Sequence, residues 1–135
     1  YAASRQTVLG MEANPAIYQT NYINTTKEAI QLIREVASEG FRLNLDTGTM
    51  LENKERVEVL EGSAALISHV HLSEPFLKPI VTSAGRRGFH QELAAFLREQ
   101  GYQGYVSVEM GKSEDGVDRI ALLDEILAYG REMFA

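Results

Sequence analysis

The sequence predicts an α/β fold in which a parallel (β/α)4 sheet forms half of a TIM (β/α)8 barrel. Short apolar runs alternate with helical patterns in the order βαβαβαβα, which is typical of parallel strands covered by helices. The polar residues of the strands fall on one face, as expected for a barrel with helices on one side only rather than for a doubly wound sheet. The 135 residues are also only half of the roughly 250 that a complete barrel needs.

The first strand is predicted at residues 7–12, where an apolar run precedes a polar loop. Thr25 and Glu28 have the spacing of a capping box and predict the start of the first helix. Its apolar stripe runs to Gly40, and the second strand, 41–46, follows at once. The stripe consists of Ala29, Ile30, Ile33, Val36 and Ala37.

The middle of the chain predicts a second, weaker helix at 53–61 with Val57 and Leu60 facing inward. A third strand is predicted at 66–72. It leads into a loop over 73–87 that includes the adjacent arginines Arg86 and Arg87.

The last third of the chain predicts a third helix, which ends at Gly101, a strand at 105–110 and a final helix at 117–134. The third helix is recognised by four apolar residues: Phe89, Leu93, Phe96 and Leu97. The final helix is predicted to bury another four: Ile120, Leu123, Ile126 and Leu127.

Four acidic or imidazole residues stand where the four predicted strands end. They are Glu12, Asp46, His71 and Glu109, and the gaps between them are 34, 25 and 38 residues, each close to one strand-helix unit. Because the carboxyl ends of parallel strands meet at one rim, the four side chains are expected to converge in a divalent-metal site. His69 shares the face of His71 but lies one layer deeper, where an interior histidine is favoured over a fifth ligand.

Composition limits the partners and the ligands. The chain has no cysteine, so any metal must be held by oxygen and imidazole groups, and a cytoplasmic location is expected. A formal charge of −6 disfavours nucleic acid as a partner. No apolar run approaches the roughly 18 residues that cross a bilayer, so no membrane contact is expected.

Half a barrel leaves two open strand edges and an uncovered inner face. We therefore expect residues 1–135 to be a single region that pairs with the missing half of a longer protein or with a second copy in a homodimer.

Four motifs in this order, LGMEAN, NLDTGTM, HVHLSEP and GYQGYVSVEM, give the chain a family resemblance over nearly its whole length. It resembles the xylose isomerase-like TIM barrel superfamily, specifically the sugar phosphate isomerase/epimerase branch (AP endonuclease family 2-like). In that superfamily the metal ligands come from strands five to eight, so the resemblance implies that this chain is the C-terminal half-barrel.

The resemblance assigns chemistry to the four strand-end residues. Glu12, Asp46, His71 and Glu109 would bind a divalent ion such as Mn, Mg, Co or Zn. The ion would act as a Lewis acid toward a chelating ketose and stabilise an enediolate. Glu12 and Glu109 would be the catalytic pair that exchanges the carbon-bound proton from opposite sides of the substrate.

The chain departs from the ketose 3-epimerases of this superfamily at three positions. Thr49, Leu77 and Tyr18 stand where those enzymes carry histidine, arginine and glutamate. Other substrate contacts are expected from Asn14, Glu74, Lys78 and His90, although His90 could instead cap the third helix. Arg86 and Arg87 could grip a sugar phosphate, but exposed loop arginines are more often simply solvated.

These observations predict a divalent-metal-dependent isomerase or epimerase of a sugar or sugar phosphate. Its substrate would be a small polyhydroxylated carbonyl compound, and this half alone would be inactive. A dehydratase of the same superfamily, an endonuclease-IV-type DNA repair enzyme and a non-catalytic half-barrel are the alternatives. The endonuclease is disfavoured because its trinuclear zinc cluster needs more than the three histidines present.

Overall fold

The computed structural model describes residues 1–80, 84–112 and 115–135. Its four strands are all parallel and form one sheet in the order β1-β2-β3-β4. The strands are β1 (Leu9–Met11), β2 (Phe41–Asp46), β3 (Ile67–Leu72) and β4 (Tyr105–Val108). The helices are α1 (Thr26–Val36), α2 (Thr47–Glu52), α3 (Ala84–Glu99) and α4 (Arg119–Phe134), each after its strand. The predicted parallel (β/α)4 arrangement is therefore confirmed.

Helix α1 begins with the predicted capping box. The Thr25 hydroxyl accepts a hydrogen bond from the Glu28 N–H at 3.2 Å, and the Glu28 carboxylate accepts one from the Thr25 N–H at 3.0 Å. The helix ends earlier than predicted, because Ala37 adopts a left-handed conformation (φ 50°) that closes its last turn. Val36, at this end, is exposed rather than part of the buried stripe.

Helix α2 begins six residues earlier than the sequence predicted, directly after β2. The Asp46 carboxylate accepts a hydrogen bond from the Thr49 N–H at 2.6 Å and so caps a helix that the sequence pattern did not reveal. The prediction of a helix at 53–61 is wrong, because only a 3₁₀ turn forms there, at Val57–Leu60. Both ends of that turn are nevertheless buried, as predicted.

The helices pack on one face of the sheet. Leu43, Leu45 and Val70 point to that face and are buried against residues of α1 and α3. The register shifts between Leu43 and Asn44, and Ser68 becomes an extra residue on β3. The shift turns Ile67 to the helix-covered face and leaves the polar side chains further along β3 on the other face, where they are half-buried.

Helix α4 buries less than predicted. Ile126 is buried, but Ile120 is 76% exposed, and Leu123 and Leu127 are exposed as well, so the prediction that they are buried is wrong. Leu127 lies beside the free edge of β4, where it lines a groove together with Tyr105. β4 is an edge strand, since no further strand pairs with it in the described part of the chain.

The loop predicted over 73–87 ends sooner than expected. Helix α3 begins at residue 84, so Arg86 and Arg87 lie in its first turn, while residues 81–83 are outside the described residues. No helix in the described ranges combines the length and the apolar character needed to span a membrane.

Candidate metal centre

The four residues that the sequence singled out lie together at the carboxyl ends of the strands. Glu12, Asp46, His71 and Glu109 each offer one ligand atom, and these atoms all lie within 4.8 Å of one another. The Nδ1 atom of His71 is central, at 3.2 Å from Glu12 Oε2 and 3.1 Å from Glu109 Oε2. Three carboxylates and one imidazole thus face a common point.

The parallel register places these side chains. Asp46, the last residue of β2, is directly paired with His71 on β3. Glu12 and Glu109 follow the last residues of β1 and β4, and the Glu109 N–H continues the sheet by donating to the Leu72 carbonyl at 3.0 Å. The two glutamates therefore come from the two outer strands, with Asp46 and His71 between them.

Negative charge is concentrated at this rim. Burial raises the pKa of Glu12 above its ordinary value, and the nearby carboxylate of Asp46 raises it further. The Asn44 side-chain amide donates a hydrogen bond to Glu12 and partly offsets this effect. A divalent cation bound among these carboxylates would offset the electrostatic repulsion between them.

The donor set fits a divalent cation. Carboxylate oxygens suit hard ions such as Mg²⁺ and Mn²⁺, and a single imidazole also suits Zn²⁺ or Co²⁺. The Oδ1 atom of Asn44 is buried and has no hydrogen-bond partner among the described residues. The Nδ2 atom of the same amide is the one that meets the cluster, at Glu12 Oε2 and at His71 Nδ1.

His69 lies one layer below the cluster. Its Nε2 is 2.6 Å from the Ser107 hydroxyl, and its ring meets the His71 ring edge-on with centroids 5.1 Å apart. Burial, followed by the proximity of His71, lowers the pKa of His69 and favours its neutral form. It is a hydrogen-bonded histidine of the inner face and is not among the four clustered residues.

A cavity of about 350 Å³ opens beside the cluster, and Glu12, Asp46 and Glu109 are among the residues that line it. Two of the expected substrate contacts, Asn14 and Glu74, also line it. So do the three residues that depart from the ketose 3-epimerase pattern: Tyr18, Thr49 and Leu77. All three departures therefore line the cavity beside the cluster.

Phe76 completes the apolar wall of this cavity and was missed by sequence reasoning. Its N–H donates to the Tyr18 hydroxyl at 2.6 Å, and the two rings meet edge-on with centroids 5.5 Å apart. Phe76 and Leu77 both have positive φ angles, 61° and 52°, which residues other than glycine rarely adopt. Strain of this kind persists where surrounding contacts impose it and is often found at functional sites.

Glu74 and Lys78 occupy different environments. Glu74 is almost fully buried, and the single Nε–H of Arg86 is shared between its two carboxylate oxygens, at 3.1 and 3.0 Å. Lys78 is exposed, stacks over the Phe76 ring at 5.9 Å and is not among the residues that line the cavity. Arg87 pairs with Glu132 on α4 at 2.9 Å.

His90 is not placed at the rim. It is fully buried between α3 and α4, with Nδ1 at 2.8 Å from the Tyr129 hydroxyl, and Nε2 has no hydrogen-bond partner among the described residues. The expectation that it contacts substrate or caps α3 is corrected by this position, which lies well inside a helix that begins at residue 84. The apolar residues from Phe89 onward predict a later start for α3 than the structure shows.

His90 predicts a pH dependence of stability. Burial, followed by the positive charge of Arg86, lowers the pKa of His90 from 6.5 to about 4. The folded state therefore binds this proton less readily than the unfolded state. The contribution of neutral His90 to stability is fully present above pH 6.5 and is lost progressively as the pH falls from there through about 4. Denaturant unfolding across this range should show the loss. A His90→Asn variant should lose less stability over the same range, and an equal loss would contradict the assignment.

Comparison with known proteins places this geometry in context. The family model for xylose isomerase-like TIM barrels matches residues 1–133. The structure of 3-keto-D-glucoside 4-epimerase from E. coli superposes with a TM-score of 0.80 at 25% sequence identity, covering 97% of this chain and 48% of that one. No curated protein sequence matches the chain.

Two further solved structures share the fold. An L-ribulose 3-epimerase superposes with a TM-score of 0.78 at 20% identity, covering 98% of this chain and 48% of that one. A D-psicose 3-epimerase from Clostridium cellulolyticum H10 superposes with a TM-score of 0.74 at 19% identity, covering 92% and 48%. The chain thus spans about half the length of the structures it matches, as expected for half of a barrel.

Proposed function

Because the chain belongs to the xylose isomerase-like TIM barrel family, we propose that it carries the metal centre of a divalent-metal-dependent sugar isomerase or epimerase. The observation that carries the proposal is the convergence of three carboxylates and one imidazole within 4.8 Å beside a cavity. The substrate is a small polyhydroxylated carbonyl compound, either a sugar or a sugar phosphate. The epimerases of similar structure support this class of reaction.

The residues that would hold the ion are Glu12, Asp46, His71 and Glu109, with Nδ1 as the His71 atom nearest the two glutamates. When bound, a Mn, Mg, Co or Zn ion supplies Lewis-acid stabilisation of negative charge on the substrate oxygens. Asp46 is oriented by hydrogen bonds from its neighbours, so it needs little rearrangement to act as a ligand. The amide of Asn44 orients Glu12 in the same way.

Glu12 and Glu109 are the groups that move the proton. They follow the two outer strands of the sheet, and this separation supports a role on opposite sides of a substrate bound at the cluster. One glutamate, as the carboxylate, would remove the proton next to the carbonyl group and leave an enediolate. The other, as the carboxylic acid, would donate its proton to the opposite face of the same carbon, so that the two groups exchange protonation states in each turnover.

The cavity wall bears on the choice of substrate. Tyr18, Phe76 and Leu77 add aromatic and aliphatic surface to the lining that also includes the carboxylates. Arg86 and Arg87, considered as a phosphate clamp, are instead paired with Glu74 and Glu132. This pairing favours an unphosphorylated substrate for the described part of the site.

The proposed function is tested by incubating the full-length protein with Mn²⁺ and a panel of ketoses and keto-glycosides in heavy water. An isomerase or epimerase incorporates deuterium next to the carbonyl group and converts the substrate into an isomer of equal mass apart from the label. Loss of water from the substrate would instead identify a dehydratase. If no member of the panel shows either exchange or turnover, that result would contradict a catalytic role and would indicate a binding protein.

The free edge of β4 and the exposed side of α4 form the surface against which the rest of a barrel would pack. Leu127 and Tyr105 line the groove between them, and Leu123 lies on the same side of α4. Parallel strands are normally buried on both faces and paired at their edges. We infer that this surface is covered by a second (β/α)4 half, supplied by the same polypeptide or by a second copy.

The isolated 135-residue chain is therefore expected to elute from a sizing column as a dimer or a larger species. A Leu123→Asp, Leu127→Asp double variant should shift it toward the monomer, because charges in the groove would remain unpaired on association. Ala121→Asp, an exposed position on a different side of the same helix, is the matched control and should leave elution unchanged. A folded wild-type chain that is strictly monomeric would contradict the inference.

A further inference from the structure

Ser73 connects the end of β3 to the start of α2 through its side chain. It is the first residue after β3 and is fully buried. Its hydroxyl oxygen accepts a hydrogen bond from the Gly48 N–H at 2.8 Å and lies 2.5 Å from Asp46 Oδ2. No other hydroxyl group among the described residues contacts this carboxylate.

The proton on this hydroxyl has a defined direction. A backbone N–H can only donate, so the Gly48 N–H occupies an acceptor position on Ser73 Oγ. The single hydroxyl proton of Ser73 is then donated to Asp46 Oδ2. Since Asp46 Oδ1 accepts from the Thr49 N–H at 2.6 Å, both oxygens of the carboxylate receive one hydrogen bond. The plane of the carboxylate is thereby fixed, with lone pairs on both oxygens left for another partner.

The backbone around Ser73 is held separately. The Thr47 hydroxyl accepts from the Ser73 N–H and donates to the Ser73 carbonyl, both at 2.8 Å. Gly48 allows this close approach, because a Cβ there would lie 2.8 Å from Ser73 Oγ and 2.9 Å from the carbonyl carbon of Glu74. Two distinct devices therefore meet at Ser73: its hydroxyl orients Asp46, and Thr47 fixes its backbone.

We propose that Ser73 is a positioning residue that fixes the Asp46 carboxylate for a divalent cation. The inference rests on the proposed metal centre, and it assigns to Ser73 a role in metal affinity in addition to its role in packing. Hydrogen-bond partners of metal ligands typically contribute about 10- to 100-fold to affinity. Removal of the hydroxyl leaves Asp46 Oδ2 without its donor and lets the carboxylate rotate away from the position that faces His71.

The test is calorimetric titration of the full-length protein with Mn²⁺, with thermal unfolding of each variant measured in the absence of metal. Ser73→Ala is expected to lower the Mn²⁺ affinity at least about tenfold. Thr47→Val is the matched control, since it removes two buried hydrogen bonds of the same strand-helix junction but leaves the Ser73 hydroxyl on Asp46. It should lower the unfolding temperature while keeping the Mn²⁺ affinity within about threefold of wild type.

An affinity that is unchanged in Ser73→Ala, or lowered equally in both variants, would overturn the role of Ser73 while leaving the metal centre intact. A wild-type protein that binds no Mn²⁺ would overturn the metal centre itself, so the two failures are distinguishable. If Ser73→Ala does not fold, Ser73→Cys replaces it, because a sulfhydryl fills the space but is a weak donor. Ser73→Cys is then expected to bind Mn²⁺ more weakly than wild type, and equal affinity would overturn the proposal.

Discussion

Replacement of Asp46 by asparagine is expected to weaken Mn²⁺ binding by at least about 100-fold, the upper end of the effect of removing a partner of a metal ligand. The substitution removes one of three negative charges from the cluster. It also replaces two acceptor oxygens by one. The single amide oxygen can accept from the Thr49 N–H or from the Ser73 hydroxyl, but the other donor then loses its partner. Calorimetric titration of the full-length protein measures the change.

The matched control for this prediction is Asp118→Asn. Asp118 caps α4 by accepting hydrogen bonds from the Ile120 and Ala121 N–H groups, as Asp46 caps α2, but it lies outside the cluster. Asparagine and aspartate are about equally good caps, so the control should retain wild-type Mn²⁺ affinity. Equal affinities for the two variants would show that Asp46 acts only as a helix cap.

Replacement of Glu109 by glutamine is expected to lower the rate of epimerisation by about 100- to 10,000-fold at saturating Mn²⁺, the usual contribution of a general acid-base group. Glutamine retains an oxygen that can face the ion but cannot carry the proton. Glu12→Gln should have an effect of similar size, because epimerisation needs a proton-accepting group on one side of the carbon and a proton-donating group on the other.

Deuterium incorporation separates this role from a loss of metal. Each glutamine variant keeps one of the two glutamates, so it should still exchange the proton of the epimer whose carbon-bound proton points toward that glutamate. Conversion of one epimer into the other should be lost. Glu125→Gln, an exposed position on α4, is the control and should behave as wild type. Wild-type conversion by both Glu12→Gln and Glu109→Gln at saturating Mn²⁺ would contradict the assignment of these residues.

The strands and the clustered residues could be predicted because both follow from periodicity. Alternation along β2 and β3 assigned Asp46 and His71 to one face, and parallel strands carry their carboxyl ends to one rim. The early start of α2 could not be read in this way, because Asp46 is at once the end of a strand, a helix cap and a member of the cluster. The spacing of Asp46 and Thr49 was its one local signal.

Features that depend on distant partners escaped the sequence. His90 was predicted at a helix start, but its environment is set by Tyr129, 39 residues away. Ser73 could not be assigned a role, because the groups that it contacts lie on a neighbouring strand and helix. Leu123 was wrongly predicted to be buried for a different reason, because periodicity identifies an apolar helix face but does not show whether another element covers it.

The most direct test of the metal centre is an anomalous difference map from a crystal of the full-length protein soaked in Mn²⁺. One peak is expected, at about 2.0 to 2.3 Å from carboxylate oxygens of Glu12, Asp46 and Glu109 and from Nδ1 of His71. A map with no peak among these four side chains, while the ion binds elsewhere or not at all, would contradict the assignment of the cluster as a metal site.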